Sequence, residues 1–193
     1  MSLSALLEER RPQRADARRN FDAVLDAAVL AYAELGAGVG MEEIARRAGV
    51  GVATLYRNFP TRIALMEAVY LAAVDELVRF GESIEEPDPW RALEMWLLKF
   101  VDFMRTKHPI VTVLTESSVV YVPTRDAIYG IADPLVERAR HAGEVRLDVD
   151  ADDVMRVIFA VTGGLYRDDA QLHGAVRIVL DGIRPRVPQR PAR

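Results

Sequence analysis

The chain has 193 residues, of which 50% are hydrophobic, and a formal net charge of −4. This composition is sufficient for a buried core in one or two domains, and the absence of cysteine excludes disulfide bonds and thiol chemistry. Since the sequence contains no run of about 20 apolar residues and no signal peptide, we expect a soluble, cytoplasmic protein without a membrane partner.

The negative charge lies in the C-terminal part of the chain. Residues 1–62 contain 9 basic and 8 acidic side chains, whereas residues 63–193 contain 16 basic and 21 acidic side chains. If the N-terminal part binds a nucleic acid, local clusters of arginine must therefore supply the attraction for phosphate.

Arginine is concentrated just before the first long helical pattern, which begins near Asp16 and ends near Leu35. Such an arm could lie in a minor groove of DNA, or it could be a solvated, disordered tail, since chain termini are often loose and Pro12 disfavours regular structure. The arginines of this segment are Arg10, Arg11, Arg14, Arg18 and Arg19.

Residues 39–67 predict two short helices joined by a tight turn, with a third helix directly after them. In the first helix, Met41, Ile44, Ala45 and Ala48 form one apolar stripe at helical spacing. Gly49 follows this stripe, at a position where a left-handed residue often ends a helix. This is the pattern of a helix-turn-helix.

The second short helix has two apolar anchors, Leu55 and Phe59, at spacing i, i+4. One face of this helix therefore stays free to enter a major groove about 12 Å wide. Pro60 ends the helix, and Thr61 is a suitable N-cap for the next one, which begins at Arg62. The side chains expected to point outward or sideways are Val52, Ala53, Thr54, Tyr56, Arg57 and Asn58.

Helical patterns separated by short breaks continue to residue 183, without strand-like alternation. Together with the three N-terminal helices, they predict an all-α fold of about nine helices. The predicted helices after the helix-turn-helix cover residues 61–82, 89–107, 110–119, 123–142, 151–167 and 169–183.

No motif indicates catalysis or metal binding. The three histidines are far apart in sequence, and no glycine-rich phosphate loop or nucleophile motif occurs. The acidic run at residues 148–153 lacks the spacing of a calcium loop, so we interpret it as negative charge at a helix N-terminus. We therefore expect neither an enzyme nor a bound cofactor.

The helix-turn-helix segment resembles the DNA-binding domain of the TetR (tetracycline repressor) family of bacterial regulators. The motifs of that family appear here, in order, as Ile44-Ala45, Ala48-Gly49-Val50, Thr54-Leu55-Tyr56 and the run from Phe59 to Leu65. The resemblance implies an all-helical, homodimeric transcription factor for double-stranded DNA, usually a repressor, that responds to a small-molecule effector.

The resemblance also implies which side chains contact DNA. Val52, Ala53 and Arg57 would face base edges, whereas Thr54, Tyr56, Asn58 and Arg62 would contact backbone phosphates. Glycines occupy positions 40 and 51, where many relatives carry a serine or threonine hydroxyl, so about one phosphate contact per helix is lost or is supplied by backbone N–H groups. Asn58 replaces a histidine that is common in the family and keeps a hydrogen-bond donor.

For the C-terminal helices, the resemblance implies a dimer interface and an effector pocket. The last two helices would pair with their symmetry mates, and their apolar residues could at the same time form the core of one subunit. The interface candidates are Val154, Ile158, Val161, Leu165, Leu172, Val176 and Leu180. An apolar or aromatic effector would bind within residues 89–166, although ordinary core packing is the alternative for each lining residue. The lining candidates are Trp96, Phe100, Phe103, Met104, Tyr121, Tyr129, Phe159, Thr162 and Tyr166.

Together, these patterns and the resemblance to the TetR family imply a regulator, usually a repressor, that binds an inverted-repeat operator as a homodimer and is released by a small apolar or aromatic effector. The predicted domains are an N-terminal arm with the DNA-binding domain (1–62), a regulatory and dimerisation domain (63–184) and a disordered tail (185–193). The alternative is a constitutive DNA binder or a protein-interaction module that has lost ligand response.

Overall fold

The computed structural model describes residues 3–114 and 118–185. This part of the chain forms nine α-helices and no β-strand, which confirms the prediction of an all-α fold. The helices are α1 (Leu3–Arg10), α2 (Ala15–Leu35), α3 (Met41–Ala48), α4 (Val52–Asn58), α5 (Arg62–Glu82), α6 (Pro89–Val111), α7 (Tyr121–His141), α8 (Ala151–Thr162) and α9 (Asp169–Ile183). Within these residues, no helix has the length and apolar character needed to cross a membrane.

The N-terminal segment is folded, so the alternative of a solvated, disordered tail is wrong for the arginine-rich residues 10–19. Leu3 and Leu7, which are four residues apart on α1, are both buried. Arg11 forms ion pairs with Glu8 at 2.6 Å and with Asp22 at 3.0 Å. Further ion pairs join Arg10 to Glu67, Arg18 to Glu8 and Arg19 to Asp16. Four of the five arginines of this segment are therefore held by carboxylates of the protein itself.

The predicted helix at residues 110–119 is wrong, and so is the predicted break at Pro109. Helix α6 continues through Pro109 and ends at Val111, and the described residues that follow are turns and bends. Proline has no N–H to donate to the carbonyl four residues earlier, so one helical hydrogen bond is lost, and α6 ends two residues after Pro109. The N–H of Thr112 still donates to the carbonyl of His108 at 3.1 Å.

Acidic residues cap α8 and α9, and the run at residues 148–153 supplies negative charge at a helix N-terminus, as predicted. Asp150 accepts a hydrogen bond from the backbone N–H of Asp153, and the Asp153 side chain accepts one in return from the N–H of Asp150. Asp168 accepts from the N–H of Gln171 at 2.9 Å. Both carboxylates satisfy N–H groups that have no partner inside the helix.

The chain divides into two compact units. The first comprises Met1–Arg79 and Thr106–Ile128, and the second comprises Phe80–Arg105 and Tyr129–Arg193. Most of α5 belongs to the first unit, and the domain boundary at residue 62 stays a prediction. Nearly all of the predicted tail, residues 186–193, lies outside the described residues.

Candidate nucleic-acid interface

The turn between α3 and α4 has the geometry that the sequence predicted. Ile44 and Ala45 are fully buried, and they fix the inner face of α3. Gly49 adopts a left-handed conformation with φ 67°. This conformation lets its N–H donate to the carbonyl of Arg46 and lets the N–H of Val50 donate to the carbonyl of Ala45 at 3.0 Å. These two bonds form a Schellman motif, which ends the helix and reverses the chain.

Helix α4 is held by the two predicted anchors. Leu55 and Phe59 are buried, and the ring of Phe59 lies 4.7 Å from the ring of Phe21 on α2. Helix α4 contacts both α2 and α3. Since the helix has only seven residues, these contacts, rather than its own hydrogen bonds, set its orientation.

The remaining side chains of α4 form a surface that we call the α4 face: Val52, Ala53, Thr54, Tyr56, Arg57 and Asn58. Val52 and Tyr56 are 40% and 41% exposed, and Ala53 and Arg57 are also exposed. Thr54 and Asn58 are half-buried at the edge of the face. The structure thus brings the six predicted residues of α4 together on one helix, with hydrophobic, aromatic and cationic groups open to solvent.

Two side chains of the α4 face bond back to their own helix. The amide Nδ2 of Asn58 donates to the carbonyl of Thr54 at 3.1 Å, and the guanidinium of Arg57 donates to the Thr54 hydroxyl at 3.3 Å. The second distance is long for a hydrogen bond, so Arg57 can exchange this contact for another acceptor at little cost.

The N-terminus of α5 adjoins the helix-turn-helix in sequence. The hydroxyl of Thr61 accepts a hydrogen bond from the N–H of Ala64 at 3.0 Å, which is the N-cap that the sequence predicted. Arg62 is exposed, and its Nη1 donates to the carbonyl of Ala37 at 3.2 Å. Within the described chain, neither Arg57 nor Arg62 is paired with a carboxylate, so both cations are available to an anionic partner.

Helix α3 carries an ion-pair network that was not predicted from the sequence. Glu43 accepts from Arg46 at 2.7 Å and from Arg47 at 2.8 Å, and Arg47 also bonds to Glu34. Hydrogen bonds from Arg46 and Arg47 lower the pKa of Glu43 to about 2. The i, i+3 and i, i+4 spacing of these residues could have revealed the network. Its effect is to offset the two arginine charges on α3.

Gly40 and Gly51 are the N-caps of α3 and α4, and neither cap has a side-chain hydrogen bond. A Cβ at Gly51 would meet no atom within 4 Å, and the backbone there is extended with a negative φ. A serine would therefore fit at residue 51. Neither steric crowding nor backbone conformation requires a glycine at this position. Because residue 51 is a glycine, α4 begins without a side-chain hydroxyl.

The predicted effector residues fall into two groups. In α6, the ring of Phe100 stacks on the rings of Trp96 and Phe103, with centroid distances of 5.5 Å and 5.9 Å. All three rings are buried in the second unit, as is Met104. Tyr121, by contrast, belongs to the first unit.

The polar members of the predicted pocket already have hydrogen-bond partners. The Tyr129 hydroxyl donates to Asp152 at 2.6 Å, the Tyr166 hydroxyl donates to the carbonyl of Val161 at 2.6 Å, and Thr162 donates to the carbonyl of Ile158 at 2.9 Å. Phe159 is 40% exposed, so it does not lie in the core. Of the predicted effector residues, the apolar residues of α6 are therefore the ones that the structure brings together in one buried cluster.

Most predicted dimer residues are buried within the single chain. Val161 is half-buried and Leu165 is fully exposed. The large apolar side chains that α8, α9 and their connection leave exposed are Val157, Phe159, Leu165 and Ile178, which we call the α8–α9 face. Periodicity identified the apolar character of these helices but not the side that stays open. The buried residues are Val154, Ile158, Leu172, Val176 and Leu180.

Two parts of the chain match known families. Residues 24–69 match the bacterial regulatory proteins of the tetR family, and residues 88–185 match the SbtR-like transcriptional regulator C-terminal domain. The chain is also similar to the HTH-type transcriptional regulator AqdR of Rhodococcus erythropolis. The two are 28% identical over an alignment 197 residues long, which covers 88% of this chain and 89% of the relative.

Solved structures give the same result over most of the chain. The TetR transcriptional regulator SCO0520 from Streptomyces coelicolor is 35% identical with a TM-score of 0.67, and the match covers 86% of this chain and 99% of that one. A TetR transcription regulatory protein from Mycobacterium vanbaalenii is 32% identical with a TM-score of 0.65, covering 90% of this chain and 100% of that one. These relatives are regulators and not enzymes, in agreement with the sequence prediction. The chain therefore belongs to the TetR family of bacterial transcriptional regulators, and its helix-turn-helix is the DNA-binding element of that family.

Proposed function

We propose that the protein is a ligand-responsive repressor that binds an inverted-repeat operator as a homodimer. The observation that carries this proposal is the α4 face, a solvent-exposed helix surface on two buried anchors. Arg57 on this face and Arg62, nearby in sequence, have no carboxylate partner among the described residues. A helix presented in this way fits the major groove, where side chains can reach base edges.

On the α4 face, Val52, Ala53 and Arg57 would read bases, and Arg57 has the geometry to donate two hydrogen bonds to a guanine. Tyr56, Thr54, Asn58 and Arg62 would contact phosphates, which fix the register of the helix without reading sequence. The ion pairs of Arg46 and Arg47 leave few free cations nearby. We therefore expect operator binding to depend on these few contacts and non-specific binding to be weak at physiological salt.

Two considerations support a homodimer. One seven-residue helix reads too few base pairs to select an operator, whereas two helices related by a two-fold axis read half-sites about one helical turn apart. The α8–α9 face supplies an apolar surface of the kind that a symmetric dimer buries. We assign the interface to Val157, Phe159, Leu165 and Ile178, with Val161 at its edge, and the buried residues behind it support this surface from within each protomer.

The effector would be a small apolar or aromatic molecule bound in the second unit. The stacked rings of Trp96, Phe100 and Phe103, with Met104 beside them in sequence, offer an apolar wall for such a molecule. An effector can release the operator only if it binds one conformation of the regulator more tightly than the other. Helix α5 begins at Arg62, next to the helix-turn-helix, so a shift of α5 is the simplest way to change the separation of two α4 helices.

The test is selection of bound sequences from a random DNA pool by the purified protein, with the stoichiometry of the complex measured on the selected DNA. An enriched inverted repeat bound by two protomers supports the proposal. No enrichment at low salt would reject operator binding and favour a role in protein interaction. An enriched inverted repeat that is never released by apolar or aromatic compounds would instead favour a constitutive DNA binder.

A further inference from the structure

The first unit contains a groove that the proposed function does not use. Its volume is about 410 Å³, which is within the range of small-molecule sites, about 300–1,000 Å³. Its walls come from two helices, α2 with Leu25, Val29 and Leu30, and α5 with Val69, Ala72 and Ala73. The two alanines are small, so α5 leaves space opposite the larger α2 side chains.

A buried cation lies beside the apolar residues of this groove. Lys107 of α6 is only 8% exposed, and its ammonium makes one hydrogen bond within the described chain, to the Thr106 hydroxyl at 3.4 Å. An ammonium group has three donors, and 3.4 Å is long for a hydrogen bond. Burial lowers the pKa of Lys107, an effect that the charge of Glu76 partly opposes. Lys107 is therefore a desolvated cation whose hydrogen-bonding capacity is mostly unused.

Two carboxylates also line the groove, Asp26 from α2 and Glu76 from α5. Both are exposed, so water solvates and screens their charges. The ammonium of Lys107 is screened much less because it is buried, and an anion that reaches it gains more than the same anion loses to the two exposed carboxylates. The charges of the groove therefore favour a ligand that has a single negative group and an apolar body. A cationic ligand would be repelled by Lys107.

We propose that this groove is a binding site for a small amphipathic carboxylate, whose acid group bonds to Lys107 and whose apolar body lies between α2 and α5. The site is formed entirely by residues of the first unit, and it shares no residue with the aromatic residues assigned to the effector. Its ligand would lie between the helix that supports α4 and the helix that follows it in the chain.

The lysine content of the chain makes a direct test possible. Lys99 and Lys107 are the only lysines, so NMR of the protein labelled with ¹⁵N at the lysine side chains gives two ammonium signals. The probes are decanoate, decanol and decyltrimethylammonium, each below its micelle concentration. We expect decanoate to shift the Lys107 signal and to raise the pKa of Lys107, while Lys99 does not respond. Decanol and the cation should bind at least tenfold more weakly.

Two variants separate the proposal from non-specific binding of a detergent-like probe. Lys107→Met keeps the apolar stem and removes the charge, and should lower decanoate affinity at least tenfold in calorimetry. Lys99→Met is the matched control and should leave the affinity unchanged. Equal binding of all three probes, or equal loss in both variants, would overturn the proposal.

The titration of the unsubstituted protein does not require either variant to fold. Absence of a Lys107 shift with decanoate in that experiment would also overturn the site. Because the readout is the lysine signal and not DNA binding, failure here is distinguishable from failure of the proposed repressor function.

Discussion

The α4 face and the α8–α9 face are both exposed to solvent, yet they differ in chemistry. The α4 face combines Tyr56, Arg57 and Asn58 with small apolar groups, and it rests on two buried anchors. The α8–α9 face exposes large aliphatic and aromatic side chains, including Ile178, which is 74% exposed. Donors and cations suit the acceptor-rich surface of DNA, whereas a large exposed apolar surface is typical of contacts between proteins. The composition of an exposed helix face thus indicates its class of partner.

The largest expected effect comes from removing the support of the α4 face. Leu55→Ala deletes a fully buried side chain, and should lower the free energy of unfolding by about 2–5 kcal/mol. Val52→Ala, on the exposed side of the same helix, should change it by less than about 0.5 kcal/mol. Urea unfolding measures both. Equal effects of the two changes would contradict the division of α4 into an anchored and a free side.

The next effect concerns assembly. Leu165→Glu places a charge at the most exposed residue of the proposed dimer surface and should convert the dimer to folded monomers, because two like charges would be buried across a two-fold axis. Sedimentation velocity and circular dichroism would detect this. Leu147→Glu is the control, since Leu147 is also highly exposed but lies outside the α8–α9 face. A dimer that survives the Leu165 change would remove this face as the interface.

Two substitutions distinguish the roles within the α4 face. Arg57→Ala should cost about 1–3 kcal/mol of operator affinity and relax the preference at one base position. Tyr56→Ala should weaken binding by a similar factor on every sequence, because phosphate contacts carry no sequence information. Binding to a panel of single-base operator variants measures both effects. Unchanged profiles for the two variants would remove these contact assignments.

A smaller effect is expected at Tyr32 on α2, the helix that supports α4. Its hydroxyl is buried, finds no hydrogen-bond partner in the described chain, and burial raises the pKa of Tyr32 to about 12. Tyr32→Phe removes an unsatisfied polar group, and should raise the free energy of unfolding by about 1 kcal/mol. Tyr129→Phe, which loses the hydrogen bond to Asp152, should have the opposite sign. A loss of stability in the Tyr32 variant would refute the account of this hydroxyl.

The smallest effect is a pH dependence at the surface of α3. The pKa of Glu43 is lowered to about 2 by Arg46 and Arg47, so its stabilising contribution is present above the pKa of the unfolded chain, near 4.5, and is lost as the pH falls toward 2. Glu43→Gln should therefore be slightly less stable than the parent protein at pH 7. This difference in Tm should disappear by about pH 2, and a difference that is constant with pH would show that the ionised carboxylate is not responsible.

The residues that position the α4 face could be predicted from the sequence because local rules determine them. Ile44, Ala45, Leu55 and Phe59 follow from helical spacing, and Gly49 follows from the requirement for a left-handed residue. Helix α1 was missed because it has only eight residues and its burial depends on Leu3 and Leu7 packing against the rest of the unit. The sequence pattern of such a short segment does not indicate these tertiary contacts.

For the C-terminal helices, the sequence predicted the apolar residues but not which of them are buried and which are exposed. Val154 and Ile158 are apolar at the spacing expected both of a subunit core and of a dimer interface, so periodicity alone could not separate the two. The end of α6 was misplaced because Pro109 interrupts a pattern without ending the helix. The groove around Lys107 combines three helices that are distant in sequence, and only the fold brings them together.

The most direct test of the central claim is the dependence of binding on the spacing of the half-sites in the selected operator. If two α4 helices of a homodimer read the DNA together, adding about 5 base pairs between the half-sites moves one half-site to the opposite side of the duplex. This change should reduce affinity at least a hundredfold. An isolated half-site should bind as weakly as the operator with the altered spacing. Equal affinity for the natural spacing, the altered spacing and the single half-site would show that each protomer reads DNA alone, and would contradict the account.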